Sequence, residues 1–188
     1  MTKITDMVQS QVIASIKKEA DIEKAIQSDA NITFLLAGNL ITTKDYIDRL
    51  KAVNKITFVH IDFIEGLSNT PSAIKYIAKM WKPDGIITTK SGLIKYANEA
   101  GLMTIQRIFL IDRNGLKKGI DIAHKCKPHA IEVLPGIMPT IIDDLTKQTH
   151  LPIIAGGLVS KKDEILNGLE AGALAISTGD PKLWNLGL

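Results

Sequence analysis

The chain has 188 residues, of which 45% are apolar and 23% charged, and its formal net charge is +3. These values are typical of one globular domain with a sizeable core, and so small a charge does not by itself indicate nucleic-acid binding. Cys126 is the single cysteine, no apolar segment approaches the length of a membrane span, and the N-terminal residues lack a signal-peptide pattern, so we expect a cytoplasmic protein that does not contact a membrane.

Short apolar segments alternate with amphipathic ones along the chain. The apolar segments are nearly continuous, which is typical of parallel strands buried on both faces. The predicted strands are Val12–Ile16, Ile32–Ala37, Thr57–Phe63, Gly85–Thr89, Met103–Phe109, Ala130–Leu134, Pro152–Ala155 and Ala173–Ser177. Eight strand–helix alternations without a long linker predict an α/β fold, a compact (β/α)8 TIM-type barrel in which residues 1–188 form one domain. An open, doubly wound sheet is the alternative.

Ligands of such barrels bind at the carboxyl ends of the strands, and several polar residues fall there. Lys17 and Lys18 follow the first strand, and either side chain could reach a ligand. Asp62 ends the third strand, where a buried carboxylate needs a partner, and we expect it to bind a ligand hydroxyl or to pair with a lysine. Lys90 follows the fourth strand as a further candidate.

Two charged residues lie within otherwise apolar strands and therefore need partners. Arg107 is expected to pair with Asp62 or Glu132, and Glu132 is a candidate general base, hydroxyl acceptor or half of a buried ion pair. His60 is interpreted as a structural histidine whose ring nitrogens are hydrogen-bonded. Because no set of histidines, cysteines and carboxylates has metal-ligand or triad spacing, we predict no metal, no cofactor and no catalytic residue.

The strongest pattern lies near the end of the chain, where two successive strands run into glycine-bearing turns. Gly156 and Gly157 follow the seventh strand, and Ser177, Thr178 and Gly179 follow the eighth. Such turns let backbone N–H groups approach an anion, and (β/α)8 barrels commonly hold a phosphate at this position. A helix capped by Ser160 and a short helix beginning at Pro181 are expected to add partial positive charge. The pattern predicts a phosphate-bearing ligand.

Four segments together resemble the glycerol-3-phosphate responsive antiterminator family. They read FVHIDFIEGL, DGIITTKSGLIKYANEAGLMTIQRIFLID, AIEVLPGIMP and PIIAGGLVSKKDEILNGLEAGALAISTGDPKLW, and the similarity extends from about Gln11 to Trp184. The resemblance implies a barrel-shaped cytosolic regulator that binds glycerol 3-phosphate and acts on the leader mRNA of glycerol-utilisation genes, preventing premature termination. The phosphate would then lie in the glycine turns, and the glycerol end would contact Lys18, Asp62, Lys90 and Glu132.

The RNA-binding surface is less evident, because the sequence has no RNP motif, no GXXG clamp and no row of aromatic residues. The first candidates are a group of basic residues, Arg113, Lys117, Lys118, Lys125 and Lys127. The apolar C-terminal residues Trp184, Leu186 and Leu188 would be exposed unless they dock, which suggests a homo-oligomer contact. The alternative function is a barrel isomerase or lyase that acts on a small phosphorylated substrate with Glu132 or Asp62 as the base.

Overall fold

The eight predicted parallel strands form a closed barrel in the computed structural model, which describes residues 3–188. The strands follow one another around the barrel in chain order, and the last pairs with the first, so that Ile13 lies opposite Ser177. The (β/α)8 fold is confirmed and the open sheet is excluded. The strands are β1 Val12–Ile16, β2 Ile32–Leu35, β3 Ile56–His60, β4 Gly85–Thr88, β5 Met103–Phe109, β6 Ala130–Leu134, β7 Ile153–Gly156 and β8 Ala175–Thr178.

Amphipathic helices connect these strands and cover the outside of the barrel. They are α1 Ile22–Gln27, α2 Thr43–Ala52, α3 Pro71–Tyr76, α4 Ser91–Glu99, α5 Arg113–Cys126, α6 Pro139–Gln148 and α7 Lys162–Glu170. The side chain of Asp112 caps α5 by accepting a hydrogen bond from the Gly115 N–H at 2.6 Å. Within residues 3–188, no helix combines the length and apolar character needed to cross a bilayer.

The predicted carboxyl ends of five strands are wrong. β3 ends at His60, where the chain enters a single 3-10 turn (Ile61–Phe63), so Asp62 leaves the strand direction. β7 and β8 run one residue further than predicted, because Gly156 still pairs with Ser177 of β8 and Thr178 still pairs with Ala14 of β1. β2 and β4 are also shorter than predicted, by two residues and one residue respectively.

The barrel interior is apolar at its amino end and polar at its carboxyl end. The apolar part is one cluster that includes Ile13, Phe34, Phe58, Ile87, Ile105, Ala130, Ile154 and Ala175. These apolar side chains point into the barrel, and side chains two residues apart share a face of a strand. On six strands, the next inward-pointing residue is polar or glycine, and we call these positions the inward series. These residues are Ser15, His60, Arg107, Glu132, Gly156 and Ser177. They form the floor of the carboxyl-terminal mouth.

The C-terminal residues dock onto their own barrel. Trp184 is buried, and its Nε1–H donates to the Thr178 carbonyl oxygen at 2.9 Å. Leu186 and Leu188 are partly buried against the core, and the Leu188 carbonyl accepts from the Gln11 N–H at 2.8 Å. Because the chain itself covers these residues, the reason given for a subunit contact there no longer holds, and the homo-oligomer stays a prediction.

Candidate functional site

A cavity of about 650 Å³ opens at the carboxyl-terminal mouth of the barrel. Its volume is within the range of small-molecule sites. Its wall combines the charged side chains Lys17, Arg107, Glu132 and Asp180 with apolar ones and with the glycine turns after β7 and β8. Phe63, Phe109 and Leu158 border the opening and are more than half exposed.

The floor of this cavity holds a buried ion pair. The Arg107 Nε–H donates to Glu132 Oε2 at 2.7 Å, and the Ser177 hydroxyl donates to Glu132 Oε1 at 2.7 Å. Arg107 and Glu132 are 6% and 1% exposed, so water does not satisfy the carboxylate. The partner of Arg107 is thus Glu132 rather than Asp62. The terminal guanidinium nitrogens of Arg107 have no protein hydrogen-bond acceptor within residues 3–188.

Gly156 makes room for this ion pair. A methyl group built on Gly156 would lie 3.0 Å from Glu132 Oε1 and would also clash with the Ser177 hydroxyl. The glycine predicted to approach the phosphate therefore lies beneath the cavity wall, where it allows the carboxylate and the hydroxyl to meet.

The two turns above the floor are tied together and leave several N–H groups unused. The Thr178 hydroxyl donates to the Val159 carbonyl at 3.0 Å and accepts from the Asp180 N–H at 3.2 Å. Gly157 and Leu158 both adopt left-handed backbone, with φ of +76° and +62°. Among the hydrogen bonds of residues 3–188, none uses the N–H groups of Gly157, Leu158, Val159 and Gly179. These donors are available to an anion.

Carboxylates of the chain itself already cap the helix starts expected to attract an anion. Glu164 accepts from the backbone N–H groups of Ser160 and Lys161, at 2.7 and 3.0 Å. Asp180 accepts from the Lys182 N–H at 3.0 Å. Ser160 is therefore not the N-cap of α7, because that helix begins at Lys162 and the carboxylate takes the free donors. The loop N–H groups, rather than the helix termini, remain for a ligand.

The structure distinguishes the two lysines that follow β1. Lys17 continues the inward series of Ile13 and Ser15 and borders the cavity, and a methyl group built on Gly179 would lie 3.0 Å from its Nζ. Lys18 points away from this cavity and borders a neighbouring cleft. Within residues 3–188, neither ammonium group has an ion-pair or hydrogen-bond partner.

Asp62 and Lys90 also lie outside the cavity wall. Asp62 accepts hydrogen bonds from the Thr88 hydroxyl at 2.6 Å and from the N–H and hydroxyl of Thr89 at 2.7 and 2.6 Å. Burial alone would raise the pKa of Asp62, but these hydrogen bonds hold it below its usual value. Lys90 Nζ lies 3.8 Å from Asp62 Oδ1. Asp62 thus pairs with a lysine and ties β3 to β4, which was the second of its two predicted roles.

Of the predicted site residues, the structure brings together one subset at the cavity. These are Gly157, Ser177, Thr178, Gly179 and Glu132, whereas Gly156 supports them from below and Lys18, Asp62 and Lys90 lie elsewhere. The sequence did not predict Phe63, Phe109 and Leu158 as site residues, and it named Lys17 only as an alternative to Lys18. Extending the period-2 alternation of β1 past its end finds Lys17, and the same alternation within β5 leads from Arg107 to Phe109, but nothing local identifies Phe63 or Leu158.

His60 is fully buried, and neither of its ring nitrogens has a hydrogen-bond partner among residues 3–188. The interpretation of His60 as a satisfied structural histidine is therefore wrong. Its ring packs edge-to-face on Phe63, with centroids 4.6 Å apart, and no polar group in the described part of the chain hydrogen-bonds to it. Burial, and next the positive charge of Arg107, lower the pKa of His60 from 6.5 to about 3.

We expect His60 to make the protein acid-sensitive. Since its pKa is lower in the folded than in the unfolded protein, the unfolded chain binds the extra proton below pH 6.5, and stability falls as the pH falls. The wild-type free energy of unfolding should lose about 1.4 kcal/mol per pH unit more than that of His60→Leu, or about 2 kcal/mol between pH 6.5 and 5. Urea unfolding at several pH values measures this difference. Equal slopes for the two proteins would contradict it, and the exposed His150, replaced by Leu, is the matched control.

The basic residues proposed for RNA binding are distributed along the full length of α5. Arg113 begins the helix beside the mouth, whereas Lys125 and Lys127 lie at the opposite end, about 21 Å away for a 14-residue helix. Lys117 and Lys118 lie between them. All five are exposed, and within residues 3–188 none forms an ion pair with an acidic residue. The residues thus form a stripe down one side of the barrel.

The fold and the site together define a class, a (β/α)8 barrel with a polar, ligand-sized cavity at its carboxyl-terminal mouth. The family model described as glycerol-3-phosphate responsive antiterminator matches residues 12–184. The chain therefore belongs to the glycerol-3-phosphate responsive antiterminator family.

Individual proteins agree with this assignment. The Escherichia coli (strain K12) protein YgcP is 34% identical over 178 residues, which cover 95% of this chain and 93% of YgcP. The glycerol uptake operon antiterminator regulatory protein of Listeria monocytogenes has a crystal structure that matches with a TM-score of 0.90 and 31% identity, covering 94% of this chain and 95% of that one. A related protein of Thermotoga maritima matches with a TM-score of 0.82 and 30% identity, covering 93% and 98%.

Proposed function

We propose that this protein is a transcription antiterminator that binds glycerol 3-phosphate in the mouth of its barrel and, in response, binds leader mRNA of glycerol-utilisation genes. Membership of the antiterminator family supports the regulatory role. The observation that carries the ligand assignment is the cavity itself, which joins free backbone N–H groups and a lysine to a buried arginine, carboxylate and hydroxyl. Because leader mRNA is bound during transcription, a cytoplasmic location is part of the proposal.

The phosphate of the ligand would lie against the turns after β7 and β8. The unused N–H groups of Gly157, Leu158, Val159 and Gly179 and the ammonium group of Lys17 surround this part of the cavity. The glycerol hydroxyls would reach the floor, where Arg107 has free N–H donors and Glu132 has lone pairs beyond its two hydrogen bonds.

The arrangement favours binding over catalysis. A general base must be positioned to take a proton from the substrate, yet Glu132 is fixed in the floor by hydrogen bonds from Arg107 and Ser177, and Asp62 is held outside the cavity by Thr88 and Thr89. In an isomerase or lyase, Glu132 would have to take the proton while the positively charged Arg107 stays hydrogen-bonded to it. We therefore prefer a sensor without catalytic activity to the barrel enzyme.

Calorimetric titration tests the ligand. Glycerol 3-phosphate should bind with a micromolar dissociation constant, glycerol should not bind measurably, and inorganic phosphate should bind more weakly because it lacks the glycerol end. NMR of the titrated sample should show glycerol 3-phosphate unchanged. Conversion of the ligand would support the barrel enzyme, and the absence of binding would refute the proposed ligand.

Gel-shift assays with the leader RNA of a glycerol-utilisation gene from the same genome test the partner. Glycerol 3-phosphate should strengthen the complex, and affinity should fall with salt as expected for phosphate contacts. Replacing Lys117 and Lys118 by Glu should weaken RNA binding by tenfold or more while leaving ligand binding unchanged. Lys24→Glu and Lys147→Glu are controls, since these lysines are exposed on other helices. Equal losses in both sets would exclude the α5 surface.

A further inference from the structure

The buried histidine at the floor of the mouth has no role in the site described so far. His60 belongs to the inward series that also contains Arg107, Glu132 and Ser177, two residues beyond Phe58 on β3. It is 0% exposed, and within the described range, residues 3–188, neither Nδ1 nor Nε2 has a hydrogen-bond partner. A buried imidazole with an unpaired donor and an unpaired acceptor is costly, so a native structure that keeps one has a reason for it.

Phe63 separates His60 from the cavity. Its ring contacts the imidazole edge-to-face at 4.6 Å between centroids, and the guanidinium carbon of Arg107 lies 5.8 Å from the same ring centre. Phe63 borders both the ligand cavity and the neighbouring cleft beside Lys18, and it is 54% exposed. A large apolar side chain that is so exposed loses little when it moves from one cleft towards the other.

We propose that His60 recognises a hydroxyl group of the ligand and that Phe63 moves aside to admit it. The assignment rests on the proposed function and adds a specificity-determining residue to it. A hydroxyl group donates one hydrogen bond and accepts others, and the neutral imidazole has one acceptor and one donor nitrogen that nothing else uses. His60 stays neutral in this site, so it favours an uncharged polyol group over a second anion.

The arrangement explains how the barrel can distinguish a phosphorylated polyol from phosphate alone. The N–H groups and Lys17 at the turns attract any phosphate, whereas only a ligand that extends to the floor can displace Phe63 and satisfy His60. A ligand without that hydroxyl leaves the imidazole without a hydrogen-bond partner. The binding difference between the two ligands therefore measures the contribution of His60.

A cycle of two proteins and matched ligands tests this assignment. Dissociation constants are measured by calorimetry for glycerol 3-phosphate, for its two monodeoxy analogues and for n-propyl phosphate, with wild type and His60→Leu. In wild type, one monodeoxy analogue should bind about five to ten times more weakly than glycerol 3-phosphate, the effect of one hydrogen bond. His60→Leu should weaken the binding of glycerol 3-phosphate by the same factor. It should leave the dissociation constants of that analogue and of n-propyl phosphate unchanged.

The outcomes separate the two proposals. If glycerol 3-phosphate does not bind to wild type, the proposed function fails and this assignment fails with it. If it binds to wild type but His60→Leu weakens all the phosphate esters equally, His60 only supports the fold, and the assignment alone is overturned. His60→Gln, which keeps a donor and an acceptor, should recover part of the lost discrimination, and His150→Leu is the control for an exposed histidine.

NMR of the wild-type protein gives a second measurement that does not depend on a folded variant. With ¹⁵N-labelled histidine, glycerol 3-phosphate should change the chemical shifts of the His60 ring nitrogens, whereas inorganic phosphate should leave these chemical shifts unchanged. Phe63→Ala should let diethyl pyrocarbonate modify His60, which the wild-type ring protects while the exposed His150 reacts freely. If the chemical shifts of these nitrogens stay unchanged while glycerol 3-phosphate binds, the assignment is overturned.

Discussion

Replacing Glu132 by Leu is expected to lower the free energy of unfolding by about 3–5 kcal/mol, the usual effect of removing one partner from a buried ion pair. Glu132 is 1% exposed and accepts from both Arg107 and Ser177. Without the carboxylate, the Arg107 guanidinium stays charged at 6% exposure with no anion beside it. The loss comes from that unpaired charge more than from the missing contacts. Urea unfolding of the wild type and of the Glu132→Leu variant measures it.

The companion variants identify the cause. Arg107→Leu together with Glu132→Leu should recover most of the loss, because replacing both charges by apolar groups of similar size removes the unpaired ion. The exposed pair of Lys95 and Glu99 on α4, with 3.9 Å between its charged atoms, is the control. Glu99→Gln should change stability by no more than about 0.5 kcal/mol. If the double variant is as unstable as Glu132→Leu, the loss of stability comes from the changed shape of the side chains and not from the unpaired charge.

The same ion pair shows which features of the site could be predicted from the sequence and which could not. An arginine and a glutamate inside apolar strands require partners, and the predicted barrel already placed β5 beside β6, where Arg107 and Glu132 prove to be in register. Choosing between Asp62 and Glu132 depended on where β3 ends. The one-turn helix after His60 carries Asp62 towards Thr88 and Thr89, and no local pattern in the sequence announces that turn.

The glycine turns were predictable because their composition and position in the barrel are distinctive, but the division of roles among them was not. Gly156 lies within β7 and accommodates Glu132 and Ser177, whereas Gly157 has the left-handed backbone that forms the turn. The eight strands were predictable because parallel strands buried on both faces are apolar throughout. Whether His60 was satisfied could not be predicted, since hydrogen-bond partners across a barrel depend on the packing of side chains such as Phe63.

The lysines after β1 test whether the strand alternation continues into the site. Replacing Lys17 by Gln is expected to weaken glycerol 3-phosphate binding about 30- to 100-fold, the effect of losing a charge-assisted hydrogen bond worth about 2–3 kcal/mol. Its ammonium group lies beside Gly179 at the cavity wall and has no protein partner within residues 3–188, so the phosphate of the proposed ligand would be its counter-ion.

Lys18→Gln is the matched control. It removes the same charge at the next residue, and the Lys18 side chain borders the neighbouring cleft. It should change the dissociation constant by less than threefold, since an exposed charge outside the cavity acts only through screened, long-range attraction. Raising the salt concentration should reduce the small effect of Lys18→Gln towards zero and leave most of the Lys17→Gln effect in place. If the two variants weaken binding equally, the phosphate is attracted by the overall positive charge after β1 and makes no direct contact with one particular lysine. A larger loss for Lys18→Gln would mean that the ligand occupies the neighbouring cleft on the other side of Phe63.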